Sequence, residues 1–174
     1  GMMDDIKANV KDWSSETEVK EYLRKILRKE AYDRTGLIYG QGHAVYTISD
    51  PRAILVRDKA KALAMVKGCL EEYELYCLIE KLAPVVFAEE KGSDKKICSN
   101  VDFFTGFVYT MLDIPRELYT PIFAISRIAG WSAHRIEELI SGNRVIRPAY
   151  KNMAVPKEYA PIDERIDDFK KSSV

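Results

Sequence analysis

The stretch Gly36-Leu-Ile-Tyr-Gly-Gln-Gly-His-Ala-Val-Tyr-Thr-Ile-Ser-Asp-Pro-Arg52 decides how this chain is organised. Gly36, Gly40 and Gly42 permit backbone conformations closed to residues with a side chain, so the stretch opens as a loop. It closes on Asp50-Pro51-Arg52, where Asp50 suits a helix N-cap and Pro51 the first helical position. Between them lies His43, one of two histidines in 174 residues. A loop histidine nine residues before an arginine that opens a helix presents a donor beside a fixed cation. That pairing suits a small anionic ligand that carries a carbonyl group. A lone histidine in a glycine loop also serves structurally, and the residues alone leave both readings open.

Upstream of the loop, Ser15-Glu16-Thr17-Glu18 reads as a capping box ahead of a helix over 15–29. Val19, Tyr22, Leu23, Ile26 and Leu27 give it one apolar stripe, with Arg24, Lys25, Arg28 and Lys29 mostly off it. Those cations form a solvated face or a phosphate contact. Residues 1–12 are polar and read as a loose lead-in or part of a broken helix; Gly1 before Met2 reads as a tag remnant and is set aside.

Downstream, a helix is expected over 51–67, with Leu55, Ala62, Leu63 and Val66 as core candidates, ending at Gly68. A second, over 70–90, contains Pro84, which should kink or divide it. After a loop at 91–96, Asn100-Val101-Asp102 leads into an apolar helix over 101–112. Asp102 there is a first-turn carboxylate that the helix dipole favours, a role that needs no chemistry and leaves a functional one open. Thr120-Pro121 starts a last helix, 120–140, with Phe123, Ile125, Ile128, Trp131, Ile136 and Leu139 as its apolar residues. Arg127 interrupts that apolar run and needs an internal carboxylate or a ligand anion. The proline-dotted tail beyond Asn143 holds too little apolar material to fold alone, and should lie along its own domain or a neighbouring subunit.

No stretch alternates with period two, so the expected class is all-α. Lys+Arg and Asp+Glu balance at 27 each, which gives no sign of nucleic acid or an anionic membrane as partner. No apolar run approaches the roughly 20 residues of a membrane span. Cys69, Cys77 and Cys98 lack metal-ligand spacing and read as reduced cysteines of a cytoplasmic protein.

Taken together, five segments resemble the C-terminal part of citrate synthase. They are Gly40-Gln-Gly-His-Ala-Val-Tyr46, Asp50-Pro-Arg52, Asn100-Val-Asp-Phe-Phe-Thr-Gly106, Thr120 to Trp131, and Asn143-Arg-Val-Ile-Arg-Pro148. The resemblance implies a multihelical small domain over 13–112, and terminal helices and an extended tail of the family's large domain over 113–174. It implies an acyltransferase of the tricarboxylic acid cycle that condenses acetyl-CoA with oxaloacetate and hydrolyses citryl-CoA. Acetyl-CoA would be a co-substrate, with no tightly bound cofactor and no metal; the residues do not choose between acetyl-CoA and propionyl-CoA.

Carried over by motif, Asp102 matches the base that removes the methyl proton, and His43 the donor to the oxaloacetate carbonyl. Arg52, Arg127 and Arg147 match the dicarboxylate-binding arginines, the last supplied across a dimer. Leu37, Gly40, Gly42 and Asn100 match the CoA-binding surroundings. Guanidinium forks suit carboxylates, and a carboxylate base facing a thioester α-carbon needs enol-stabilising donors close by.

Two features depart from the family. Ser99 stands where a proline commonly precedes Asn-Val-Asp, and the family's enol-stabilising histidine has no counterpart before residue 13. His134 matches a position of no catalytic role. The chain therefore reads as the C-terminal portion of a citrate or 2-methylcitrate synthase, incompetent without an N-terminal half. The alternative is a non-catalytic remnant that binds CoA or a partner.

Overall fold

The computed structural model describes residues 1–92 and 96–141, with positions 158 and 161. All six regular elements among them are α-helices: α1 (Met2–Asn9), α2 (Glu16–Leu27), α3 (Pro51–Lys67), α4 (Leu70–Lys91), α5 (Val101–Met111) and α6 (Tyr119–Ile140). A 3-10 turn, Arg116–Leu118, precedes α6. The expected all-α class holds.

The capping box at α2 closes only halfway. Ser15 Oγ accepts from the Glu18 amide at 3.3 Å, but Glu18 Oε2 accepts from the Lys11 and Asp12 amides instead. Its carboxylate thus ties the α1–α2 link to the helix start. The lead-in at 1–12 is helical over Met2–Asn9, as α1. Met2, Ile6 and Val10 fall four apart and are buried in the core, a period too short to stand out in so polar a segment.

Helix α2 packs on α4, with Val19, Leu23, Ile26 and Leu27 buried. Of its off-stripe cations, Lys25 and Lys29 are exposed, as a solvated face expects, while the two arginines are paired. Arg24 donates to Glu89 and Arg28 to Glu90, both on α4. Helix α4 is continuous through Pro84, so the division does not occur. Leu82, Ala83 and Val86 are buried on either side of the proline, and their packing outweighs one lost backbone hydrogen bond.

Helix α3 packs against α5 on a different face from the one expected. Leu55, Ala62 and Val66 are exposed, Leu63 packs partly buried against the core, and Ala53, Ala60 and Ala64 are buried. Small side chains let the two backbones approach closely, so the alanines take the interface. Aromatic rings bridge α4 and α5: Tyr76 lies 5.0 Å from Phe107 and 5.1 Å from Phe103, and Tyr73 lies 6.3 Å from Phe104 (centroid distances). Phe104 and Phe107 are fully buried at the centre of the core.

The chain divides into two units, Gly1–Arg127 and Ile128–Val174. The first contains the core described above. In the second, the described part is the end of α6, whose Ile128, Trp131, Ile136 and Leu139 are exposed. These residues, and Phe123 and Ile125 in the first unit, are therefore not the core that their spacing predicts. An apolar stripe reports that a face can be buried, not by what. The motif at 143–148, with Arg147, lies outside the described residues. No helix among the described residues is long and apolar enough to cross a membrane.

Candidate functional site

The glycine loop is fixed to the segment that enters α5. Gly42 N donates to Cys98 O at 2.7 Å and Asn100 N to Gly40 O at 2.9 Å, on either side of an antiparallel bridge between Gln41 and Ser99. Gly40 is required there. Its φ is +81°, and a Cβ on it would sit 2.7 Å from Phe103 Cδ2. Asn100 completes the join: its Oδ1 caps α5 by accepting from Asp102 N, and its Nδ2 donates to Gly42 O, each at 3.0 Å. The loop bearing His43 and the helix start bearing Asp102 are thus one structural piece, though 59 residues separate them in sequence.

Asp50 makes a second join, one that its reading as an N-cap does not contain. Its side chain is buried. Oδ1 accepts from Arg52 N and Arg52 Nε, each at 3.0 Å. Oδ2 accepts from the Arg52 guanidinium at 2.9 Å and from Val101 N at 3.1 Å. The start of α3 is thereby fastened to the start of α5. Hydrogen bonds from Arg52 hold the Asp50 carboxyl below the ordinary carboxylate range. Asp50 in turn raises the pKa of Arg52, against a lowering by burial, and the Asp102 charge adds to the rise.

Around Arg52 the geometry becomes informative. His43 Nδ1 accepts from two backbone amides, Val45 at 3.0 Å and Tyr46 at 3.1 Å. A neutral imidazole carries one N–H, so a ring whose Nδ1 accepts twice bears its proton on Nε2. Yet Nε2 lies 3.2 Å from the Arg52 guanidinium, which has only donors. Two donor nitrogens therefore lie side by side, a pair that suits a ligand carrying two acceptor oxygens. Tyr46 supports the pair, its ring 4.8 Å from the His43 ring and 5.7 Å from Arg52 Cζ.

Residues 1–149 match the family model described as citrate synthase, C-terminal domain. The chain belongs to the citrate synthase family. It is 38% identical over 167 residues to a citrate synthase of Synechocystis, covering 95% of this chain and 39% of that protein. With a citrate synthase of Haloferax volcanii it shares 39% over 138 residues, 79% of this chain and 34% of the relative. A 2-methylcitrate synthase of Shewanella oneidensis is 35% identical over 158 residues, 90% of this chain and 38% of the relative. The chain spans well under half the length of these relatives.

The citrate synthase motifs fall unevenly on the structure. His43, Arg52, Asn100 and Asp102 are joined through the contacts above. Asp102 is exposed, and lines a cavity of about 400 Å³ with Tyr39, Gly40 and Tyr76, and another of about 270 Å³ with Thr105, Thr120 and Phe123. Leu37 is exposed at the loop's outer edge. Arg127 is exposed rather than buried, its Cζ 5.0 Å above the Phe123 ring one turn earlier. No ion pair or hydrogen bond among the described residues joins it to His43. Arg147 falls outside the described residues. A cavity of about 810 Å³ on the α3–α4 side is lined by neither His43 nor Asp102. Its Arg57 and Glu80 pair with each other at 3.0 Å.

Proposed function

We propose that this chain supplies the base and the carbonyl-binding side of a citrate synthase active site, condensing acetyl-CoA with oxaloacetate to citrate and CoA. The observation that carries this reading is the adjacency of His43 Nε2 and the Arg52 guanidinium, 3.2 Å apart. Oxaloacetate offers a ketone oxygen beside a carboxylate, and that pair answers both donors at once. Asp102, on the helix start fastened to the same loop, removes a proton from the acetyl methyl group. The resulting enol carbon attacks the ketone carbon, and the Nε2–H of His43 stabilises the alkoxide as negative charge moves onto that oxygen. Water then cleaves the thioester, releasing CoA.

Leu37, Gly40, Gly42 and Asn100 form the wall along which the CoA would lie. The donor to the enol oxygen and the rest of the acyl pocket come from an N-terminal half outside this sequence. Arg127 completes its contacts only in that setting, and Arg147 acts across a homodimer in the cytoplasm. The exposed apolar residues of α6 support such an assembly, because a terminal helix of the larger domain would bury them there.

Nitrogen NMR of the chain, with oxaloacetate added, tests the assignment. His43 Nε2 and Arg52 Nε should shift saturably, and more strongly with oxaloacetate than with succinate, which has the carboxylates but no ketone. Equal responses to the two diacids would contradict the carbonyl role. No response to either would remove the site.

A further inference from the structure

We propose that Asp50 is a positioning residue for the site, holding the Arg52 guanidinium in place through a carboxylate shared with the α5 N-terminus. Helix capping alone does not account for it. A cap needs one oxygen on one amide, and serine, threonine or asparagine supply that as well as aspartate does. Asp50 uses two oxygens for four donors: the Arg52 amide, two nitrogens of the Arg52 guanidinium, and the Val101 amide. Only a carboxylate has that acceptor capacity.

Burial sharpens the argument. The Asp50 side chain is 0% exposed, whereas that of its partner Arg52 is 41% exposed. The anion sits in the wall and the cation reaches out of it. One edge of the guanidinium is held by Asp50, and Nη2 on that edge also lies 3.2 Å from His43 Nε2. Because Oδ2 also accepts from Val101 N, one residue before Asp102, the same carboxylate sets the arginine relative to the helix that bears the base. Arg52 would otherwise lose rotamer freedom only when the ligand arrives, which weakens binding.

The proposal takes what Arg52 binds from the function proposed above, so its test begins without ligand. Hydrogen exchange at Arg52 Nε is measured by NMR in the unmodified chain and in Asp50→Ser, which keeps a capping oxygen and loses the fork. Exchange should be slowed in the unmodified chain and accelerate by about tenfold or more in the variant, with helix content unchanged. Affinity for oxaloacetate should then fall by a similar factor. Unslowed exchange in the unmodified chain, or equal exchange in the two proteins, would overturn the proposal whether or not oxaloacetate binds. Should Asp50→Ser fail to fold, Asp50→Asn, isosteric and still a capping residue, is read in the same way. If neither folds, the unmodified chain decides. Slowed exchange with no oxaloacetate response would uphold Asp50 and refute the ligand assignment.

Discussion

At the scale of single residues, the site depends on close approaches that tolerate little change. Gly40→Ala would place a methyl group against Phe103 and force a positive φ on alanine, costing about 1–3 kcal/mol of stability. Gly42 also has a positive φ but faces open space, so thermal unfolding should rank Gly42→Ala as the milder change. Asp50 adds a dependence on pH. A carboxyl whose folded pKa is lowered contributes stability above its unfolded value and loses it as pH falls through the folded one. The thermal midpoint should therefore decline below about pH 4, and Asp50→Asn should flatten that decline. Much of this was legible beforehand, because Asp50-Pro51 and the three glycines act through their own backbone. The Asp50–Val101 bond was not, since nothing in the spacing of two residues so far apart reveals that they meet. The same holds for Ser99, whose hydroxyl pairs with the Gln41 side chain at 2.9 Å where proline would offer no such group.

At the scale of elements, the aromatic bridge between α4 and α5 holds the helix that carries Asp102 in place. Phe104→Ala empties the centre of that bridge and should cost about 3–5 kcal/mol, read from denaturant unfolding. Glu90→Gln removes only exposed contacts between α2 and α4, and its effect on the same measurement should be far smaller. Helices α2 to α6 begin and end within two residues of where caps and periodicity place them, since those signals are local. The buried faces were less legible. Helix α3 packs through Ala53, Ala60 and Ala64, because contact distance and not hydrophobicity chose the face. Helix α6 is apolar and exposed, because its spacing gives a stripe but not the surface that would cover it.

At the scale of the molecule, the proposed function gives this chain one side of an active site. Purified alone, it should release no CoA from acetyl-CoA and oxaloacetate above background. Losing one preorganised oxyanion donor costs about 10²–10³ in rate, and the proposed function places more of the pocket than that outside this chain. Thiol release by the pure chain, abolished by Asp102→Asn, would contradict that. The central claim, that Asp102 and His43 of this chain do the family's chemistry, is tested most directly in a chimera. The chain replaces the matching segment of the Synechocystis citrate synthase, and CoA release is followed with both substrates present. A folded chimera should turn over, and Asp102→Asn should lower kcat by at least about 10², the scale of a removed acid–base group, while leaving oxaloacetate binding in place. A folded chimera whose turnover is unchanged by Asp102→Asn would contradict the account.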